Sequence, residues 1–193
     1  MLLYVYSKDF YIEMEIIDNF IPEDQFYIIH KTMYEDDFEW FFTDKILTPP
    51  YENLPGRYQF CHNILSDREG INSYHYPIFN PILSKLGTYK IFRMKANLTL
   101  GTKEHEPSGF HVDGFDKNHG YPDNTLTAIY YINTCNGYTE FKTGEKVQSV
   151  SNRMLIFNSE LEHQGVSTTD GIRRVLINFN FIKHLDLQLS LPL

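Results

Sequence analysis

Cysteine is scarce. Cys61 and Cys135 are the only two in 193 residues, too few and too isolated for a disulfide framework or a thiolate metal site, so a reducing cytoplasm is the expected compartment. Basic residues are also in deficit. Seventeen Lys and Arg stand against 25 Asp and Glu, a formal net charge of −8, which disfavours nucleic acid as a partner because phosphate neutralisation needs clustered cations. No run is long and apolar enough to span a bilayer. The opening Met1-Leu2-Leu3-Tyr4-Val5-Tyr6 lacks the basic start of a signal peptide and meets Lys8 and Asp9 too soon. No internal repeat, low-complexity stretch or Ser/Gly linker divides the chain. One domain over residues 1–193 is expected, large enough to bury its own core without staples.

What is abundant is aromatic. Fourteen Tyr and 15 Phe accompany the single Trp40, a composition that favours strands around a large apolar interior; a lone tryptophan is expected in the core. Glu13–Phe20 reads as a strand, and Ile21-Pro22-Glu23-Asp24 opens a helix to about Tyr34, with Pro and acids in its first turn. Residues 43–75 read as turn-rich, broken by Pro49, Pro50, Pro55 and Gly56, and a second helix is expected over Ile78–Leu86. From Ile91 onward the segments are short, β-branched or aromatic and separated by Gly, Asn and Asp, as in an antiparallel barrel or sandwich. The spacing predicts strands at 91–100, 108–112, 125–133, 138–142, 153–158 and 173–182. The expected class is α+β, mainly β: a support region over 1–90 whose helices cover the outer face of one sheet, and a β core over 91–182.

His111-Val112-Asp113 falls at the end of a predicted strand, where residues two apart project to one side. One imidazole and one carboxylate can then reach the same ion, and His163 is the candidate third ligand. Two imidazoles and a carboxylate on one face of an octahedron leave the open positions that oxygen-activating iron(II) needs. His-x-Asp alone is a weak signal, because His184-Leu185-Asp186 matches it too, without a histidine after it. A cosubstrate with a free carboxylate also needs a buried cation, and Arg173 and Arg174 open the last strand. Parity separates them. Arg173 shares a face with Val175, Ile177 and Phe179, Arg174 with Leu176, Asn178 and Asn180. The polar set suits a barrel interior, which favours Arg174.

Together these residues resemble the iron(II)/2-oxoglutarate-dependent oxygenases, and among them the prolyl 4-hydroxylase-like branch, from about Ile91 to Ile182. His111 and Asp113 resemble the family's His-x-Asp, and His163, 52 residues after His111, its distal histidine. Arg174 lies 11 residues beyond His163, where the family keeps its 2-oxoglutarate anchor, with Arg173 also in range. Tyr131, in Thr127-Ala128-Ile129-Tyr130-Tyr131-Ile132-Asn133, matches a tyrosine that offers its hydroxyl to the cosubstrate. Asn136-Gly137-Tyr138-Thr139-Glu140-Phe141 is similar to a Gly-Gly-x-Thr-x-Phe turn, with Asn136 in the first glycine's place and able to accept a positive φ; on its own the Asn-Gly step also suits a type I′ hairpin. Asn97 is a further candidate cosubstrate contact.

The resemblance implies a double-stranded β-helix (a jelly roll), iron(II) held by His111, Asp113 and His163, 2-oxoglutarate as cosubstrate, and ascorbate as an accessory reductant. The implied reaction is hydroxylation of an amino-acid side chain of a peptide or protein, or of a small metabolite, with release of succinate and CO2. Loop 114–124 and segment 101–108 are expected to rim the substrate site. Two other classes stay open on the residues alone: a non-catalytic jelly-roll binding module, and a zinc hydrolase using the same ligands.

Overall fold

A computed structural model of the protein describes residues 14–47, 52, 54–113, 122 and 124–183. Strand β1 (Met14–Ile17) leads into helix α1 (Glu23–Met33). Pro22 fixes the chain just before the helix, while Glu23 and Asp24 oppose the positive end of its dipole. Phe26, Ile29 and Met33, at spacings of three and four, give it one buried face. A single 3-10 turn (Tyr76–Phe79) runs into helix α2 (Asn80–Leu86), which ends where Gly87 takes a left-handed φ of 64°.

The strands form two facing sheets. The large one contains β1, β2 (Phe41–Thr43), β3 (Gln59–Ser66), β5 (Thr88–Leu100), β6 (Leu126–Tyr131), β9 (Arg153–Asn158) and β11 (Arg173–Lys183) in the order β1-β9-β6-β11-β5-β3-β2, with β4 (Gly70–Ile71) beside β3. Every pairing in it is antiparallel. The small sheet has the order β10 (His163–Val166), β7 (Tyr138–Phe141), β8 (Lys146–Gln148). This is the double-stranded β-helix arrangement.

Alternation along the central strands divides the interior. Tyr130, Met154, Ile156, Val175, Ile177, Phe179 and Phe181 join the core that carries α1 and α2 on the outer face of the large sheet. Ile129, Tyr131, Leu155, Phe157 and Leu176, one position over, pack toward Phe141 and Val147 of the small sheet. Trp40 is half-buried against the outer core, its ring 5.0 Å from that of Phe38.

Several sequence expectations fail for local reasons. Residues 43–75 are not all turn, because β3 occupies 59–66; its buried polar residues, Gln59 and His62, hide the apolar alternation that marks a strand. Segment 108–112 is not a strand: it holds one isolated bridge, His111 with His163, and Pro107 with Val166 makes another just before it, since Pro107 cannot donate and Gly109 turns to a φ of 103°. β8 and β10 are too short and too polar to announce themselves. Asn136-Gly137 is no hairpin turn. Neither residue has a positive φ, and β7 pairs with β8 and β10 rather than with β6. The Asn136 side chain instead accepts from Thr168 Oγ1 and the Thr169 amide, pinning the approach to β11.

Candidate metal centre

His111 and His163 exchange both backbone hydrogen bonds, at 3.0 and 2.9 Å, which sets their side chains on one side of the bridge with ring centroids 4.6 Å apart. Asp113, two residues on, turns its carboxylate between them. His111 Nε2 lies 3.7 Å from Asp113 Oδ1 and His163 Nε2 lies 3.7 Å from Asp113 Oδ2. One ligand atom from each of the three falls within 4.8 Å of the others. Residues 114–121 and 123, most of the loop expected to rim the substrate site, and the second His-x-Asp at 184–186 lie outside the described residues.

The surroundings suit a metal. His111 Nδ1 meets the Gly109 carbonyl at 3.1 Å and His163 Nδ1 meets that of Leu161 at 2.9 Å. A carbonyl only accepts, so each Nδ1 carries the proton and each Nε2 turns a lone pair toward Asp113. Burial disfavours the charged form of His163 and so favours the neutral form that ligates. Burial alone would push the Asp113 carboxyl up, but His163, His111 and Arg93, with a hydrogen bond from Asn178, hold it well below the usual carboxylate range. Asn178 Nδ2 donates to Asp113 Oδ2 at 2.7 Å, with Thr127 Oγ1 at 3.4 Å from the same oxygen. Asn178 Oδ1 is buried and has no hydrogen-bond partner among the described residues.

The triad opens into a cavity of about 1040 Å³. Arg174 lines it, 4% exposed, with Nε donating to Ser149 Oγ at 2.7 Å and one terminal nitrogen to Thr139 Oγ1 at 3.0 Å. Among the described residues no carboxylate lies close enough to pair with it. Arg173 is exposed on the opposite face, its guanidinium 4.1 Å over the Tyr34 ring. Tyr131 is fully buried behind Thr139, to which its hydroxyl donates at 2.8 Å, and is not on the cavity wall. Asn97 is on that wall, as are Thr102, Glu106, Pro107 and Ser108 from the segment expected to rim it.

Residues 99–182, which contain the triad, Tyr131 and Arg174, match the model of the 2OG-Fe(II) oxygenase superfamily. Over that stretch the chain is similar to this superfamily. No curated protein matches it by sequence. Among solved structures, the chain superposes on the viral collagen prolyl hydroxylase of Paramecium Bursaria Chlorella virus-1 in its 2OG complex, with a TM-score of 0.57 at 12% identity over 89% of this chain and 96% of that one. A Pseudomonas putida prolyl-4-hydroxylase gives 0.51 at 16% identity over 89% and 93%. A non-heme alpha ketoglutarate dependent carbocyclase from nogalamycin biosynthesis gives 0.59 at 9% identity over 88% and 78%. The likeness is one of fold, and that fold serves hydroxylases and a carbocyclase alike.

The site contains residues that no sequence motif marks. Asn178 braces Asp113, and Thr139 and Ser149 hold Arg174. Asn178 had a signal, since it shares strand parity with Arg174; Thr139 and Ser149 come from the small sheet and meet Arg174 only in three dimensions. Gly137 is needed for close approach: a Cβ there would stand 2.8 Å from Arg174 Cδ and 3.0 Å from the Val166 carbonyl oxygen.

Proposed function

We propose that the protein is an iron(II)- and 2-oxoglutarate-dependent hydroxylase acting on an amino-acid side chain of a peptide or on a small metabolite, with release of succinate and CO2. The observation that carries this is Arg174: a buried guanidinium without a counter-ion among the described residues, on the wall of the cavity that holds three residues able to bind a metal. Burying an unpaired cation costs several kcal/mol. A carboxylate delivered by a ligand removes that cost. Register gives the reach, since four residues of β11 separate Arg174 from Asn178, the brace of Asp113, or about 13 Å of strand at about 3.3 Å per residue.

His111, Asp113 and His163 would hold iron(II), the two imidazoles neutral and fixed through Nδ1, the carboxylate fixed by Asn178. Arg174 receives the 5-carboxylate of 2-oxoglutarate in a fork already set by Ser149 and Thr139, so little ordering remains on binding. Tyr131 acts through Thr139, orienting it toward the guanidinium. When bound, iron with 2-oxoglutarate supplies the oxygen activation, and the protein orients the partners and excludes water. Ascorbate would serve only to keep the metal ferrous. No described helix is long and apolar enough to cross a membrane, and the free thiols Cys61 and Cys135 accord with a cytoplasmic location.

The test is succinate release. It should require iron(II), 2-oxoglutarate and O2 together, fail with zinc(II) in iron's place, and fail in His111→Ala. Succinate formed without metal, or a zinc-supported hydrolysis, would overturn the assignment.

A further inference from the structure

The strand beside that of Arg174, β5, carries a second set of cations, outside the metal cluster and away from the Arg174 anchor. On β5, Arg93, Lys95, Asn97 and Thr99 face the cavity, and the register sets them across from Asn180, Asn178, Leu176 and Arg174. Lys95 therefore stands at the level of Asn178 and the metal ligands. Arg93 stands two residues further, about 7 Å along the strand on the side away from Arg174. Asn63 of β3 sits beside Lys95 in register and lines the same wall.

Neither Arg93 nor Lys95 makes a side-chain hydrogen bond or ion pair among the described residues. Of the carboxylates lining the cavity, Glu106 is taken by Arg57, Asp113 belongs to the metal cluster, and Glu69 accepts from Asn72. Asp67, at the rim, comes within 4.0 Å of neither cation among the described residues. Two like charges on alternate positions of one strand face, half-buried and unpaired, repel each other. Burial and the adjacent Arg93 push the Lys95 ammonium down to about 8. An anion between them would remove both penalties. The cosubstrate does not need it, because its two charged ends are spoken for by Arg174 and the metal.

We propose that Arg93 and Lys95 bind an anionic group, a carboxylate or a phosphate, of the primary substrate, on the side of the metal away from Arg174. This rests on the oxygenase assignment and narrows its substrate to compounds carrying such a group. The target C–H bond would lie over the metal within a few bonds of the anion.

The test uses the full chain loaded anaerobically with iron(II) and saturating 2-oxoglutarate, titrated calorimetrically with inorganic phosphate, acetate and, as the uncharged control, acetamide. Saturable binding of one or both anions but not of acetamide is expected, and the tighter of the two anions assigns the group. Arg93→Met and Lys95→Met should each weaken it about tenfold or more, Lys95→Arg should retain it, and 2-oxoglutarate affinity should move less than about twofold. Absence of saturable anion binding, or binding indifferent to both Met variants, would overturn the proposal. So would a loss of 2-oxoglutarate affinity in those variants, which would hand the cations to the cosubstrate. If no iron–cosubstrate complex forms, the oxygenase assignment fails instead. Phosphate binding to metal-free Arg174→Met protein then decides the fate of the cation pair by itself.

Discussion

Arg174→Met should move two stabilities in opposite directions. In the protein without cosubstrate the variant loses hydrogen bonds to Ser149 and Thr139, each worth about 1 kcal/mol. It also removes a buried cation that has no counter-ion among the described residues, whose burial costs several kcal/mol. The unliganded Tm is therefore expected to hold or rise. With cosubstrate the sign reverses. For the wild-type chain of 193 residues, 2-oxoglutarate at about 100 times Kd adds about 2.7 kcal/mol, or about 5–10 °C of Tm. Removing the charged partner of its carboxylate costs about 2–5 kcal/mol of affinity, enough to abolish that shift at the same concentration. Differential scanning fluorimetry with manganese(II) in place of iron(II), to prevent turnover, measures both quantities. Arg173→Met is the control: it loses the contact over Tyr34 and should keep the full shift. A variant at 174 that is strongly destabilised without ligand yet keeps the shift would refute the argument, as would loss of the shift at 173.

Gly137→Ala would place a methyl 2.8 Å from Arg174 Cδ; overpacking of this kind costs about 1–3 kcal/mol, and isothermal titration should show weaker 2-oxoglutarate binding with iron affinity kept. Asn178→Ala removes the donor that fixes Asp113, so iron(II) affinity should fall about 10- to 100-fold while circular dichroism stays native. Lys95 gives a pH signature. Its folded value of about 8 lies below the ordinary lysine value of 10.5, so the unfolded chain holds the proton more tightly and stability rises with pH across that window. Lys95→Met should accordingly raise the Tm of metal-free protein most below pH 8, with the gain fading toward pH 10.5; a gain independent of pH would contradict a strained ammonium.

The parts of the fold that follow from periodicity were legible. The strands at 153–158 and 173–182 alternate between two cores, and the same alternation places Val175, Ile177 and Phe179 under the helices and Arg174 in the cavity. α1 was legible from Pro22, its acidic first turn and a 26–29–33 apolar face. What stayed hidden depends on contacts remote in sequence. β3 carries His62 buried against the Glu39 carbonyl, where a strand pattern would show an apolar residue. His163 opens a four-residue strand whose only visible signal was the histidine, and its pairing with His111 is one isolated bridge. Asn136 reads as a turn residue by composition but works through its side chain on Thr168 and Thr169. The cations at 93 and 95 carry no sequence signal, because lysine and arginine at alternate positions usually mark a solvated strand face, and only the register with β11 brings them beside Asn178 and the candidate metal centre.

The central claim is that His111, Asp113 and His163 hold iron(II) beside a 2-oxoglutarate anchored on Arg174. Anaerobic titration of both into metal-free protein, followed in the visible spectrum, tests it most directly. The account predicts a weak metal-to-ligand charge-transfer band that saturates with both components, is absent in His111→Ala, and needs far more 2-oxoglutarate in Arg174→Met. A folded protein that gives no band, or a band that survives His111→Ala unchanged, would contradict it.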